Sequence, residues 1–485
     1  MNQPRAKSLM FMGTGSDVGK SLIVAGLCRL LANRSIKVAP FKPQNMSNNA
    51  AAVQGGEIGR AQALQARAAK TPATIHMNPV LLKPESERGA QVIVQGKRAA
   101  TMTARDFFAN RSQFLPAILD SFQTLAKDHD LILVEGAGSP AETNLRNGDL
   151  ANMGFAEAAD IPVVIIGDIH RGGVIASLVG THAVLDEKDR TRIKAFLINK
   201  FHGDPTLFDE ALKTITQRTD WQSLGVIPHF PNAHCLPAED AVALEDQLTS
   251  HAGSTRICVL RLPRIANFDD IDPLRLEPGV TVQFLKAGEP VPGNCNLVII
   301  PGSKSTIADL QALRTTGWDI DITAHARRGG HVLGLCGGYQ MLGKMIHDPQ
   351  GLEGPAASVA GLCLLDVETT LTPDKTVTPT TAIHAATAEK ITAYEIHLGK
   401  TRGPDCATPF ARTERGPDGA VKGKIMGTYL HGCFAADGFR KAFLESLGTT
   451  SSDLAYNELI ENTLDELAAH LEQHVDVEAL LKLAK

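Results

Sequence analysis

The sequence predicts an α/β protein of two domains, each built around a mainly parallel sheet with helices on both faces. Short, almost continuously apolar segments alternate with helical stripes, which is typical of parallel strands buried on both sides. This alternation stops at a polar stretch near residue 250 and then restarts. A length of 485 residues also favours more than one domain, because domains commonly contain about 100–200 residues.

We place the first domain at residues 1–248, a linker at 249–255 and the second domain at 256–447. The predicted strands are 9–12, 131–134, 163–166 and 196–198 in the first domain, and 257–260, 297–300, 331–335 and 425–429 in the second. The Thr- and Pro-rich residues 366–390 are expected to form an irregular loop. Residues 448–485 carry leucines at helical spacing, and we expect this C-terminal helical segment to pack on the second domain.

The composition argues against several classes of protein. A net charge of −5 with scattered Lys and Arg gives no basic stripe for nucleic acid. No apolar run approaches the roughly 20 residues of a membrane span, and the N-terminus lacks a signal-peptide pattern. Eight cysteines without a CxxC pair indicate reduced thiols rather than disulfides or zinc. We therefore expect a cytoplasmic protein that binds neither nucleic acid nor membrane, and nothing in the composition indicates an oligomeric state.

A glycine-rich loop follows the first predicted strand and consists of Gly13, Thr14, Gly15, Ser16, Asp17, Val18, Gly19, Lys20 and Ser21. The usual phosphate loop, GxxxxGK[ST], would place glycine where this chain has Thr14. Strand, loop, Gly-Lys-Ser and helix nevertheless come in the required order. Backbone N–H groups can surround phosphate oxygens, Lys20 can neutralise them and Ser21 can ligate magnesium. The loop therefore predicts a site for ATP and Mg²⁺, with an ordinary glycine-rich turn as the alternative.

Acidic residues near the predicted strand ends are candidates for the same site. Glu135 follows strand 131–134, where ligands of open α/β sheets bind, so it is a candidate magnesium ligand, directly or through water. A surface acid at a strand end is the alternative. Asp149 and Asp168 could reach this crevice, although each could equally cap a helix or stabilise a turn.

Cys336 lies between glycines directly after the predicted strand 331–335. In a nucleophile elbow, glycines permit the sharp strand-to-helix turn, and the helix N-terminus favours a thiolate and an oxyanion. The pattern therefore predicts a thiol nucleophile. Gly302 and Ser303 follow another predicted strand and could supply a backbone N–H that holds the oxyanion together with that of Gly337. A helix N-cap is the alternative for this segment.

A thiol nucleophile needs a base nearby. The candidate is His431, just past the predicted strand 425–429, although for any single one of sixteen histidines this role is improbable. Position 433 is a cysteine, so no carboxylate lies two residues beyond His431. Glu395 is a candidate to orient the imidazole, and His397 is a candidate partner or substrate-binding residue.

Several segments resemble the CobB/CobQ family, the glutamine-dependent amidoligases of cobalamin biosynthesis, and among them the branch that makes cobyric acid. These segments are 41–49, 55–62, 77–84, 261–268, 301–306, 335–342 and 429–432. The resemblance implies an N-terminal, dethiobiotin-synthetase-like P-loop domain and a C-terminal class I glutamine amidotransferase-like, flavodoxin-like domain of the type without the usual third acid. It also implies Cys336 as the nucleophile and His431 as its base.

The resemblance further implies the reaction. ATP with Mg²⁺ would phosphorylate a substrate carboxylate, and ammonia released from glutamine would displace the phosphate, with no tightly bound prosthetic group. The substrate would be a small-molecule corrinoid, adenosylcobyrinic acid a,c-diamide, amidated at carboxylates b, d, e and g to give adenosylcobyric acid. Candidate substrate-binding residues are Gln44, Asn45, Asn48, Asn49 and Asp149, and the first four could instead form a turn.

Two other functions stay open. A cobyrinic acid a,c-diamide synthase-type amidoligase has similar domains but acts on a different carboxylate pair; segments 45–49 and 77–84 favour the four-amide enzyme. The other is an ATP-dependent switch like the partition proteins, which usually carry a lysine early in the loop where this chain has Thr14. A switch would also leave the Cys336 elbow unexplained.

Overall fold

The structure of the chain is a computed structural model that describes residues 6–85, 89–239, 255–449 and 452–485. The expected domain boundary at residue 248 and the linker residues 249–254 lie outside this described part. Residue 255, which we also placed in the linker, is the first residue of a strand, Thr255–Leu260.

The first half of the chain contains a six-stranded parallel sheet with helices around it, a four-stranded sheet and a two-stranded sheet. Its strands are β1 (Lys7–Gly13), β2 (Val38–Phe41), β3 (Gln44–Met46), β4 (Ala50–Val53), β5 (Gly56–Gly59), β6 (Val80–Pro84), β7 (Gly89–Val94), β8 (Lys97–Thr103), β9 (Leu131–Glu135), β10 (Val163–Asp168), β11 (Ile193–Phe201) and β12 (Gln222–Pro228). Its helices are α1 (Lys20–Asn33), α2 (Arg60–Ala68), α3 (Ala104–Asn110), α4 (Leu115–Asp128), α5 (Met153–Ala159), α6 (Val174–Val184), α7 (Glu187–Arg190) and α8 (Asp209–Thr219). The sheet has the order β12-β11-β10-β1-β9-β2, and all its pairings are parallel.

The predicted strands of this half are confirmed within β1, β9, β10 and β11. Their side chains are almost all buried because apolar clusters cover both faces of the sheet. Along β1, Met10 faces one cluster and Leu9 the other, as strand alternation requires. Since β1, β2 and β9 run parallel, the loops after them converge at one edge of the sheet.

The second half forms another mainly parallel sheet and an additional, mainly antiparallel one. Its strands are β13 (Thr255–Leu260), β14 (Ile265–Ala266), β15 (Val280–Leu285), β16 (Leu297–Ile300), β17 (Gly302–Ser303), β18 (His331–Leu335), β19 (Met345–Asp348), β20 (Ala357–Ala360), β21 (Glu368–His384), β22 (Lys390–Arg402), β23 (Ala411–Thr413), β24 (Gly416–Asp418), β25 (Ala420–Lys422), β26 (Ile425–Thr428) and β27 (Leu430–His431). Its helices are α9 (Asp272–Arg275), α10 (Thr306–Thr315), α11 (Trp318–Arg327), α12 (Gly337–Leu342), α13 (Asp437–Ser446), α14 (Tyr456–His474) and α15 (Val477–Leu483). The main sheet has the order β15-β13-β16-β18-β26-β25, parallel except for the last pair.

The expectation of an irregular loop at 366–390 is wrong. Most of this stretch is β21, a strand of 17 residues that pairs with β22 in the antiparallel sheet. Its many threonines are β-branched and favour extended backbone. Pro373 lies where the pairing with β22 changes register, between Thr370 and Lys375, so the missing N–H does not interrupt the ladder.

The C-terminal segment packs on the first domain, and the expectation that it packs on the second is wrong. Helix α14 lies against α1 in one apolar cluster, which includes Leu27, Leu30, Ile460, Leu464, Leu467 and Leu471. Gly26 permits the close approach, because a Cβ atom there would lie 2.5 Å from a methyl carbon of Leu471. Arg29 of α1 also forms an ion pair of 2.6 Å with Glu461. No helix among the described residues is both long and apolar enough to cross a membrane.

We predict that Leu467→Ala destabilises the first domain by about 2–5 kcal/mol, because it leaves a cavity between α14 and α1. Trp221 lies buried beside the sheet of the first domain and Trp318 on α11 of the second. Denaturant titrations of fluorescence in Trp318→Phe and Trp221→Phe backgrounds report the two domains separately.

In Leu467→Ala, the unfolding transition reported by Trp221 should have its midpoint at a lower denaturant concentration. The exposed residue Asn462 on the same helix supplies the control, since Asn462→Ala should leave both transitions in place. A shift of the Trp318 transition alone would contradict this packing.

Candidate active site

The predicted phosphate loop connects β1 to α1, as its order in the sequence requires. Lys20 is buried, and its ammonium group donates to the carbonyl oxygens of Gly15 at 3.1 Å and Gly138 at 3.3 Å. Burial lowers the pKa of Lys20, and the charge of Glu135 partly opposes this effect. The lysine is therefore held inside the loop, where it can meet phosphate oxygens.

Glu135 is fully buried at the end of β9. Its carboxylate accepts hydrogen bonds from Ser21 Oγ and Lys42 Nζ, both at 2.8 Å, and from Gln65 Nε2 at 2.6 Å. Burial acts to lower the pKa of Lys42, but the charges of Glu135 and Glu239 outweigh it and raise this pKa. The structure thus brings together the two predicted residues, Ser21 and Glu135. Lys42 lies beside Glu135 and stays protonated there.

A second carboxylate, Glu239, was not predicted. It accepts a hydrogen bond from Lys42 Nζ at 2.6 Å and lies close to Ser21 Oγ, whose single proton it shares with Glu135. One hydroxyl and two carboxylates are the hard oxygen donors that Mg²⁺ prefers, so these side chains fit that ion. Lys42 was also missed, although its place directly after β2, at the same sheet edge as the phosphate loop, is a signal for it.

A cavity of about 790 Å³ opens beside this cluster. Its lining includes the phosphate loop, Lys42, the candidate substrate residues Gln44 and Asn45, and the segment 229–239. Asn48 and Asn49 do not line it; the Asn49 amide donates to the Ala238 carbonyl at 3.1 Å. The cavity therefore joins the nucleotide loop to only part of the predicted amide-rich segment.

Asp149 and Asp168 have structural roles outside this cavity. The Asp149 carboxylate accepts hydrogen bonds from three backbone N–H groups around the start of α5, which is the helix-capping alternative. Asp168 forms an ion pair with Lys200 at 2.9 Å and accepts from the His170 backbone. Neither side chain lines the cavity beside Glu135.

Cys336 has the strained backbone of a nucleophile elbow, with φ 52° and ψ −107° between β18 and α12. The turn requires glycine on both sides. A Cβ atom on Gly334 would lie 2.6 Å from Gly338 backbone atoms, and one on Gly338 would lie 2.0 Å from the Ile300 carbonyl oxygen. The thiol donates to the Ile396 carbonyl at 3.3 Å and faces the imidazole of His431.

His431 is buried on β27, and its Nδ1 atom lies 2.7 Å from Asp270 Oδ2. The other carboxylate oxygen of Asp270 accepts from the Gly432 N–H at 2.6 Å, which fixes the carboxylate. Burial lowers the pKa of His431, but Asp270 and the Cys336 thiol outweigh it and raise this pKa to about 10. Nδ1 is thus committed to Asp270, and the imidazole presents its remaining nitrogen to the thiol side of the site.

The acid that orients His431 is Asp270, so the prediction of Glu395 is wrong, and so is the implication that the site lacks a third acid. Glu395 instead lies 3.2 Å from His397 Nε2 and forms an ion pair with Arg415. Asp270 lies in a 3-10 turn, Phe268–Ile271, two residues after the segment 261–268. Its only sequence signal is an acidic pair at the end of that segment, far from His431 along the chain.

The predicted oxyanion residues come together beside the dyad. A Cβ atom on Gly337 would lie 3.0 Å from the backbone nitrogen of Ser303, and one on Gly302 would lie 3.2 Å from His431 Cε1. A small cavity of about 50 Å³ is lined by Gly302 and Ser303, by Cys336 and His431, and by Lys83 of the first domain. Both cavities are therefore lined by candidate catalytic or binding residues. The cavity of Cys336 also extends to the interface between the domains.

Comparison with known proteins matches both halves of the chain. Residues 9–241 match the CobQ/CobB/MinD/ParA nucleotide binding domain, and residues 256–439 match the CobB/CobQ-like glutamine amidotransferase domain. A nucleotide-binding domain joined to a glutamine amidotransferase domain defines a carbon–nitrogen ligase that uses glutamine.

Full-length relatives specify the family. Proteins named cobyric acid synthase from Cereibacter sphaeroides and Bradyrhizobium diazoefficiens are each 58% identical, over 481 and 483 residues, covering 99% of this chain and 100% of the relative. Another, from Rhodobacter capsulatus, is 56% identical over 481 residues with the same coverage. The chain belongs to the cobyric acid synthase family.

We predict that Asp270→Asn lowers the pKa of His431 from about 10, because it removes the carboxylate that favours the protonated imidazole. In the native protein this proton contributes stability below the unfolded value near 6.5, and the contribution is lost as the pH rises through about 10. NMR titration of the His431 ring and unfolding measured between pH 6 and 10 test both effects.

The native protein should lose stability across this range, and Asp270→Asn should lose less. Glu395→Gln is the matched control, because that carboxylate contacts His397 and not His431. If Glu395→Gln moved the His431 titration and Asp270→Asn did not, the assignment of the orienting acid would be reversed.

Proposed function

We propose that the chain uses ATP and glutamine to amidate carboxylates b, d, e and g of adenosylcobyrinic acid a,c-diamide, giving adenosylcobyric acid. The observation that carries the proposal is the thiol–imidazole–carboxylate arrangement of Cys336, His431 and Asp270, on one chain with a phosphate loop. The names of the full-length relatives supply the substrate class.

In the glutaminase half, the Cys336 thiolate attacks the side-chain amide carbon of glutamine. The backbone N–H groups of Gly337 and the 302–303 segment receive the oxyanion of the tetrahedral intermediate. His431, protonated through its contact with Asp270, gives a proton to the departing ammonia and leaves a thioester on Cys336. It then accepts a proton from water, which attacks the thioester and releases glutamate.

In the ligase half, the substrate carboxylate attacks the γ-phosphorus of ATP and forms an acyl phosphate with release of ADP. Ammonia then attacks the acyl carbon and phosphate leaves, so that an amide replaces the carboxylate. Lys20 and Lys42 neutralise charge on the phosphates during the transfer. Ser21, Glu135 and Glu239 would hold Mg²⁺, which supplies charge neutralisation when bound.

The alternatives account for fewer of these features. The function of an ATP-dependent switch does not explain the strained backbone of Cys336 or its position facing a charged His431. A cobyrinic acid a,c-diamide synthase-type enzyme would share both sites. The relatives that cover 99% of this chain are, however, named cobyric acid synthase. The four-amide reaction is therefore the function that the site and the relatives support best.

Glutamate and ADP release should be measured with ATP, Mg²⁺ and glutamine, with and without adenosylcobyrinic acid a,c-diamide. Release of both that rises with the corrinoid, with a mass change for four carboxyl-to-amide conversions, would support the proposal. Two conversions starting from cobyrinic acid would favour the diamide-forming alternative. If no corrinoid changed the rate of glutamate release, the substrate of the amidation would have to be another carboxylate.

We predict that Cys336→Ala lowers glutamine-dependent amidation at least about 10³-fold, because the thiol that forms the thioester in the proposed reaction is removed. Amidation with ammonium salts should remain within about twofold, since the nucleotide site is untouched. Product formation from each nitrogen source measures the effect. Cys363→Ala, at an exposed cysteine, is the control and should behave like the native protein. Undiminished glutamine use by Cys336→Ala would overturn the assignment.

We predict that Lys20→Ala lowers amidation at least about 100-fold with either nitrogen source, because the phosphate charge is no longer neutralised. Basal glutaminase activity should remain, since Lys20 does not line the cavity of Cys336. ADP and product release measure the loss, with the exposed Lys213→Ala as the control. Substantial synthesis by Lys20→Ala would argue against the role of the phosphate loop.

A further inference from the structure

Side chains of helix α2 contact the nucleotide site and also residues that adjoin His431. Helix α2 directly follows β5 and begins within segment 55–62, to which neither half-reaction assigns a role. The helix is nine residues long, so it spans only about 13 Å.

At its N-terminal end, Arg60 crosses to the second domain. Its Nε atom forms an ion pair with Asp269 at 3.0 Å, and its side chain is only 15% exposed. Its Nη2 group donates to the Ala50 carbonyl at 2.8 Å and to the Tyr394 hydroxyl. Asn267 donates to that same hydroxyl at 3.0 Å. Arg60 therefore ties three segments of the interface together.

Both second-domain partners of Arg60 adjoin the catalytic base. The Tyr394 ring stacks on the His431 imidazole, with centroids 5.4 Å apart and planes 18° apart. Tyr394 and His431 are also paired across β22 and β27. Asp269 directly precedes Asp270, whose carboxylate holds His431 Nδ1. Arg60 thus supports His431 from the ring face and from the acid that orients it.

The same helix contacts the nucleotide site further along. Gln65 is fully buried and donates to Glu135 at 2.6 Å and to the Ser21 carbonyl at 3.2 Å. One turn earlier, Gln62 accepts a hydrogen bond from Asn45, which lines the large cavity. A displacement of Glu135 or Asn45 therefore acts on the helix that carries Arg60.

We propose that Arg60 is a positioning residue for the glutaminase reaction, and that helix α2 links the state of the nucleotide site to the orientation of His431. Arg60 acts through Tyr394 and Asp269 and does not line the cavity of Cys336. This inference rests on the proposed function, because it assumes that Cys336 and His431 hydrolyse glutamine.

The test compares Arg60→Gln with the native full-length protein. Glutamine hydrolysis should lose about 10- to 100-fold in kcat with KM changed less than about twofold, because the base is misplaced while the glutamine pocket is intact. Ammonia-dependent amidation should stay within about twofold of the native rate. ATP and the corrinoid should stimulate native glutamine hydrolysis, and Arg60→Gln should abolish this stimulation. Arg60→Lys, which keeps the charge opposite Asp269, should recover part of kcat.

Arg67 supplies the matched control, because it lies on the same helix but pairs with Glu461 of α14 at 2.7 Å. Arg67→Gln should retain both activities and the stimulation. If Arg60→Gln lost as much ammonia-dependent amidation as glutamine hydrolysis, Arg60 would have only a structural role. If only the KM for glutamine rose, Arg60 would contact glutamine directly. Either result overturns the proposal. If ATP and the corrinoid did not change the rate of glutamine hydrolysis by the native protein, the proposed link through helix α2 would be overturned. Absence of native glutamine hydrolysis would instead contradict the proposed function itself.

Discussion

A carboxylate buried between the two domains is the constraint on which their arrangement depends. Glu57 is about 1% exposed and lies between Lys83 of its own domain, at 2.8 Å, and Lys375 of β21. Burial raises the pKa of Glu57, but the two lysines outweigh it and lower this pKa to about 2. Each lysine compensates part of the charge of this buried carboxylate, and a buried charge left without any partner typically costs about 3–5 kcal/mol. Strand β21 therefore supplies one of the two ammonium groups that keep Glu57 buried and charged.

This constraint has a chemical consequence. Lys83 lines the cavity of Cys336, so docking the domains around Glu57 closes the glutaminase site with a residue of the ligase domain. A second contact reinforces the closure, because Lys304 beside the cavity forms an ion pair with Glu85 at 2.7 Å. Ammonia is a nucleophile only when unprotonated, and in the proposed reaction it is released where the two domains meet, next to the domain that uses it.

The sequence predicted those parts of the sites that are continuous along the chain. The phosphate loop and the Cys336 elbow each depend on a few successive residues whose spacing reflects backbone geometry. Asp270 lies 161 positions from His431, and no periodicity links them. The docking of α14 was missed for a related reason, because an amphipathic pattern shows that a face is buried without identifying the surface that buries it.

The proposed glutaminase dyad, Cys336 and His431, is assembled from segments that meet only in the folded, docked protein. Cys336 is held at positive φ, a strain of about 1–3 kcal/mol that the surrounding packing must offset. Its proposed base, His431, is held by Asp270, which lies in a short 3-10 turn rather than in the main sheet. Arg60 of the other domain pairs with Asp269, the residue next to this acid, so docking of the two domains adds to the support of the proposed catalytic geometry.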